Sequence, residues 1–274
     1  MSGAETTQTW RELRFFFAVA FLLSWGTGGI YLLFRAWLDP MILPLGVNNP
    51  IFLLMNCAPS LAALIAAMRF GGWHGVINVL SGLVRPFAAW WLIVAFAVVP
   101  LVSLALVYLA PYWQVWPVTA HDVLVKLPLL MFTTRQIINN IAPFGEELGW
   151  RGYALPRLLE GRNATIAALI LGAVWVVWHI PGFFISGLMA VGPEQLGWWA
   201  LGTLALSVIM TFIYVRANRN VIVGGVIPHF VINAAAAAGI WLSRPAEVIG
   251  LAVVAIGAAA LMQLRTRTFS RIRS

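Results

Sequence analysis

Long apolar runs, separated by short polar, glycine-rich or proline-rich connections, alternate along the whole chain. A membrane-spanning helix needs about 20 mostly apolar residues. Eight segments approach that length, at roughly 15–34, 51–68, 88–110, 127–148, 163–180, 197–215, 221–241 and 247–264. The pattern predicts an all-α polytopic membrane protein with about eight transmembrane helices, forming a single membrane domain over residues 1–274. The second and last segments are short and the seventh contains Pro228, so these ends are the least defined. Two stretches break the rhythm. Residues 69–87, "RFGGWHGVINVLSGLVRPF", are too interrupted to span; they predict a short amphipathic helix along the cytoplasmic interface, with His74 an interfacial residue. Residues 111–126, "PYWQVWPVTAHDVLVK", place aromatics near prolines, as in an interfacial aromatic belt, with His121 and Asp122 solvated in a polar loop. No internal repeat is visible, which weighs against a transporter built from inverted halves.

Composition sharpens this picture. The chain is 61% hydrophobic and only 9% charged, against about 25% charged residues in a soluble domain. Its formal charge of +8 could suggest nucleic acid, but the arginines are dispersed among short connections rather than gathered into one face. That dispersal reads as orientation. With eight spans, thirteen Lys/Arg fall in the N-terminus, the connections after spans 2, 4 and 6, and the C-terminus. The alternate segments hold Arg35, Lys126 and Arg244 only. Both termini are therefore predicted to be cytoplasmic. The partners implied are the lipid bilayer and no nucleic acid. Cys57 is the single cysteine, which excludes an internal disulfide and any multi-cysteine metal site. The polar start "MSGAETTQTWRELR" precedes an apolar run without a small-residue cleavage site, so the first helix is read as retained.

An ionisable group inside a span costs at least ~2.5–3.5 kcal/mol at the bilayer centre and is by default a functional candidate. Few qualify: Arg135, Glu146, Glu147, Arg151, His179 and His229, with Asn139, Asn140 and Asn233 as neutral company. They concentrate on spans 4, 5 and 7. Glu147 and Arg151 are four apart and share a helix face, so they can pair. Glu146 lies about 100° round the helix from its neighbour. Trp175 and His179 repeat the i,i+4 spacing before Pro181, and so do His229 and Asn233 after Pro228. A carboxylate in a low-dielectric pocket is a competent base, and with a histidine it can take a proton from water. A second histidine and an amide can donate to an oxyanion. Glu146, His179 and His229 equally match a zinc-type His₂Glu set. Both readings, with a divalent metal such as zinc or with none, fit the residues. His179 lies roughly 24 Å along its helix from Asn163. To meet it at depth, the span 4 helix must continue through "LGWRGYALPRL", with Pro156 near its end.

"EELGWR" (Glu146, Glu147, Arg151), "WxxxH" (Trp175, His179) and "HxxxN" (His229, Asn233) resemble, in order and spacing, three motifs of the CAAX prenyl protease and bacteriocin-processing (abortive-infection) intramembrane protease family, which includes the Ras-converting CAAX endopeptidases. The motif-bearing region is residues 127–240. The resemblance implies an eight-helix intramembrane endopeptidase with its active site between helices 4, 5 and 7. In it Glu146 is the general base with His179, and His229 and Asn233 stabilise the oxyanion. Glu147 and Arg151 support the site, and Trp175 stands where the family pattern has phenylalanine. The implied substrate is a membrane-anchored or lipidated peptide, of which a prenylated CAAX tail is one form. Family members are described both as metalloproteases and as metal-independent glutamate proteases. Other intramembrane protease types lack their residues: there is no HExxH and no GxSxG, and Asp39 and Asp122, the only aspartates, lie outside the spans. A scaffold, immunity or regulatory membrane protein of the same fold is the rival reading, and a small-molecule transporter a third. The complete Glu/His/His/Asn set favours the enzyme, because a scaffold has no use for water-activating groups.

Overall fold

The computed structural model describes residues 3–46, 49–113, 118–131, 141–185, 188–189, 191–241 and 243–271. Among these residues every regular element is helical. We number the helices α1 (Thr7–Leu33), α2 (Arg35–Ile42), α3 (Pro50–Val84), α4 (Trp90–Trp113), α5 (122–131), α6 (141–158), α7 (Ala164–His179), α8 (Leu196–Arg216), α9 (Ile222–Ala237) and α10 (Pro245–Arg271). Among the described residues, six helical stretches are long and apolar enough to cross a membrane: α1, α3, Trp90–Leu109 within α4, α7 with its extension to Phe184, Pro193–Arg216, and Pro245–Gln263 within α10. The chain is thus a multi-pass membrane protein. The seventh expected span is the shorter apolar helix α9, whose length is roughly 24 Å at ~1.5 Å per residue. The fourth runs into residues 132–140, and Arg135, Asn139 and Asn140 with it lie outside the described residues.

Local chemistry accounts for the helix boundaries. Asn163 caps α7 by accepting from the Ile166 N–H at 2.8 Å, and Pro181 follows His179, where the α-helix gives way to a 3₁₀ turn, Ile180–Phe184. Gly72 breaks α3, with φ 56° and ψ −153°, a region essentially reserved for glycine. Residues 73–84 therefore form the separate helix that the interrupted pattern predicts. That helix turns Val76 and Val79 inward and exposes His74 together with Trp73, Ile77 and Val84. His121 and Asp122 are not in a loop. Thr119 and Asp122 make a reciprocal cap at the start of α5: the Asp122 carboxylate accepts from Thr119 N–H at 2.8 Å and from its hydroxyl at 2.7 Å, and Asp122 N–H donates back at 3.2 Å. This pairing of a threonine with an acid three residues on is a helix-start signature.

Two cores hold the helices. One, rich in aromatics, joins α1, α3, α6 and α7 around Phe16, Trp150, Tyr153, Trp175 and Trp178. The other joins α4, α8, α9 and α10 through smaller aliphatic side chains such as Val99, Val208, Ala234 and Leu251. Without a hydrophobic driving force between helices in lipid, close packing needs small residues at the contacts. On α6, Gly149 lies directly against the Pro59 backbone of α3, where no Cβ fits. On α9, Gly225 lies against the Glu147 and Arg151 side chains of α6. The buried Asn220 donates to the carbonyl of Arg85 at 2.6 Å and accepts from Val223 N–H at 3.0 Å, which ties the start of α9 to the end of α3.

Candidate active site

α6 carries both carboxylates in its first described turns and continues to residue 158, as the depth of His179 requires, with Pro156 in its last turn. Its middle, Leu148–Ala154, is π-helical. Such turns interrupt the regular i→i−4 register and recur at functional sites. Glu146 is 3% exposed and Glu147 0%. They have different surroundings.

Glu147 sits in an ionic cluster sealed from solvent. It pairs with Arg151, also 0% exposed, and its Oε1 lies 2.9 Å from Nδ1 of His229. A carboxylate only accepts, so that ring nitrogen carries the proton and donates. The Arg151 guanidinium carbon lies 5.4 Å from the centroid of the Trp175 ring, a cation–π contact that compensates part of its desolvation.

Glu146 faces a cavity of about 510 Å³ whose lining includes Trp175, His179, His229 and Asn233. Its Oε2 accepts from Nε1 of Trp175 at 2.8 Å and, more weakly, from Nε1 of Trp150 at 3.4 Å. Nδ1 of His179 lies 2.9 Å from the Trp175 carbonyl. Because a carbonyl accepts only, Nδ1 holds the hydrogen and Nε2 is the lone-pair nitrogen of the neutral ring. Trp178 and Trp199 pack on the His179 ring with centroids 4.7 and 5.0 Å away. The cavity reaches beyond α6, α7 and α9 to Ser24 and Trp25 of α1, Asn56 of α3 and Trp241. Its volume is typical of sites that enclose a small molecule or a few residues of peptide.

All four residues assigned to chemistry in the sequence, Glu146, His179, His229 and Asn233, thus line one cavity. Of the three assigned to support, Trp175 lines the same cavity and donates to Glu146, and Glu147 and Arg151 pair behind its wall. Two features were not readable in the motifs: the Glu147–His229 hydrogen bond, across 82 positions, and the indole donor from Trp175 to Glu146, across 29. The only sequence signal for the second was the tryptophan itself, standing where the family pattern has phenylalanine. Among the described residues no group of three His, Cys, Asp or Glu side chains is placed to hold a metal ion. Glu146, His179 and His229 share the cavity without forming such a set.

Comparison with known proteins falls on the same residues. The family described as Type II CAAX prenyl endopeptidase Rce1-like matches residues 128–235, a stretch that contains every motif residue. The motif-bearing core is similar to that family. Over 93 residues the chain is 33% identical to CAAX prenyl protease 2 of Methanococcus maripaludis, covering 32% of this chain and 34% of that protein. The match therefore spans about a third of the relative's own length. The resemblance carried by the three motifs extends through the matched stretch, and α1, α3 and α10 outside it contribute Ser24, Trp25, Asn56 and Leu251 to the same cavity.

Proposed function

We propose that the protein is an intramembrane endopeptidase that hydrolyses a peptide bond in a membrane-associated substrate. The observation that carries this reading is the shared cavity: a buried carboxylate, two histidines and an amide from three helices meet around one volume, in a core similar to a family of prenyl endopeptidases. A water held between Glu146 and Nε2 of His179 attacks the scissile carbonyl carbon, and Glu146 takes the proton it loses. The oxyanion that forms receives hydrogen bonds from the Asn233 amide and His229. His229 already donates through Nδ1 to Glu147, so donation through Nε2 makes it a cation, and Glu147 supplies the balancing charge. Glu146 then passes its proton to the amine nitrogen as the C–N bond breaks. The cycle consumes one water and leaves a carboxylic acid and an amine, which then ionise to carboxylate and ammonium. No step in it runs through a metal.

The substrate class proposed is a peptide anchored in or lipidated to the bilayer, including a prenylated C-terminal tail like the one named for the relative. Cleavage of such a peptide in H₂¹⁸O should place one ¹⁸O in the new carboxylate, with activity unaffected by dialysis against a chelator. Loss of activity on chelation, restored by zinc, would overturn the metal-free mechanism; intact peptide with every membrane-anchored substrate class would overturn the protease.

The orientation proposed has both termini cytoplasmic. Glu160 and Glu194 are exposed and lie beyond opposite ends of the spanning stretch Ala164–Phe184. With Cys57 replaced, a cysteine at 160 should react with a membrane-impermeant reagent from the cytoplasmic side only, and one at 194 from the other side only. The reverse pattern contradicts the assignment.

A further inference from the structure

Trp175 makes two contacts that meet at the chemistry. Its indole N–H donates to Oε2 of Glu146 at 2.8 Å, and its backbone carbonyl accepts from Nδ1 of His179 at 2.9 Å. Both members of the water-activating pair are therefore bound by one residue. The side chain is 4% exposed and edge-on to His229, with ring centroids 5.1 Å apart, and the Arg151 guanidinium lies over its ring. Arg151 is in turn held by Glu147, so the indole is gripped on several sides and its N–H direction is set by packing. Trp150, fully buried and packed edge-on against Phe16 of α1 and against Trp178, directs a second indole N–H at the same Glu146 oxygen. Phenylalanine at 175 would fill much of the space and could not donate.

We propose that Trp175 is a positioning residue for hydrolysis, resting on the assignment of Glu146 as base: its indole N–H, backed by Trp150, fixes the Glu146 carboxylate through Oε2 so that Oε1 is the atom that receives the water proton. A carboxylate held by one oxygen in a buried, packed frame presents the other in a defined direction, and a misplaced base loses rate without losing substrate affinity. The indole donor is a feature of this chain at a position where the family pattern has phenylalanine. A hydrogen bond to a charged group is worth enough to change the rate about ten- to a hundredfold when removed.

Replacement of Trp175 by 3-benzothienylalanine tests this, since it keeps the bicyclic shape and exchanges N–H for sulfur. Expected is a ten- to hundredfold lower kcat with KM and melting temperature unchanged, the same loss in Trp175→Phe, and wild-type kcat when the site carries a fluorinated tryptophan that retains the N–H. Wild-type kcat in the benzothienyl protein, while Glu146→Ala remains inactive, overturns the positioning role and leaves the base assignment standing. Wild-type kcat in Glu146→Ala itself overturns the base assignment and this inference with it. A matched fall in kcat and melting temperature for both analogues shows a packing role only, and also overturns the inference.

Discussion

The cavity wall and the ionic cluster behind it are built on the same turns of α6, from two carboxylates adjacent in sequence. The wall carries Glu146, whose described hydrogen-bond partners are neutral indole donors, beside an open volume that His179 and His229 also line. The cluster carries Glu147, fully enclosed and bound to two basic side chains, Arg151 and His229. Burial alone does not separate them, since both are below 4% exposed. What separates them is charge compensation. A buried carboxylate neutralised by a cation is held in place by that pairing, whereas one held by neutral donors beside a cavity is open to a water on its free side. The ionic cluster therefore lies behind the wall, and its contact with His229 is the point where the two meet.

The largest effect expected from breaking either side is on the wall. His179→Ala should lower hydrolysis about 10²- to 10⁴-fold, the usual range for a proton-transfer group, with yield and melting temperature close to wild type. Near-normal turnover in that variant removes His179 from the reaction. Next comes the cluster. Arg151→Leu leaves Glu147 as a buried charge without its guanidinium, and breaking such a pair costs about 3–5 kcal/mol. A large fall in melting temperature should accompany the loss of activity. A variant as stable as wild type shows that the pair is not structural.

Smaller effects sharpen the contrast. A Cβ on Gly225 would sit 3.0 Å from Oε2 of Glu147 and 3.1 Å from Cδ of Arg151, whereas one on Gly257 of α10 meets nothing within 4 Å. Gly225→Ala should destabilise by about 1–3 kcal/mol, as overpacking does, and Gly257→Ala should not. Equal melting temperatures for the two would show that the cluster tolerates repacking. The smallest change belongs to a carboxylate outside the spans. Hydrogen bonds from the Thr119 hydroxyl and N–H hold Asp122 below the ordinary carboxylate range. A depressed value means that its contribution is present above the unfolded value and disappears as pH falls through the folded one. Asp122→Ala should therefore lower the melting temperature slightly at neutral pH and leave it unchanged in acid. A loss that persists in acid points to something other than the ionised cap.

How much of this was legible in the sequence depends on range. Contacts at helical spacing were readable: Glu147 with Arg151, the shared face of Trp175 and His179, the Pro181 stop and the continuation of α6 to Pro156. Apolar runs gave the spanning helices wherever they exceed bilayer length, and they placed α9 correctly while overstating its length as a span. Contacts between helices were not readable. Whether Trp175 Nε1 meets Glu146 depends on how α6 and α7 cross, and the glycine contacts that set the packing, such as Gly149 on Pro59 and Gly225 on Glu147, have no periodic signature. The loop assigned to His121 and Asp122 failed for a local reason, because Thr119 three residues upstream completes a cap that starts a helix there.

The central claim is the division of labour between the neighbouring carboxylates, and Glu146→Gln addresses it most directly. Glutamine keeps the length and one acceptor for the Trp175 indole but cannot take a proton from water. The initial rate of hydrolysis of a membrane-anchored fluorogenic peptide, measured below the melting transition, should fall at least about a hundredfold in protein as stable as wild type. A rate within a few-fold of wild type would contradict the account and return the base to Glu147 or to a group outside this pair.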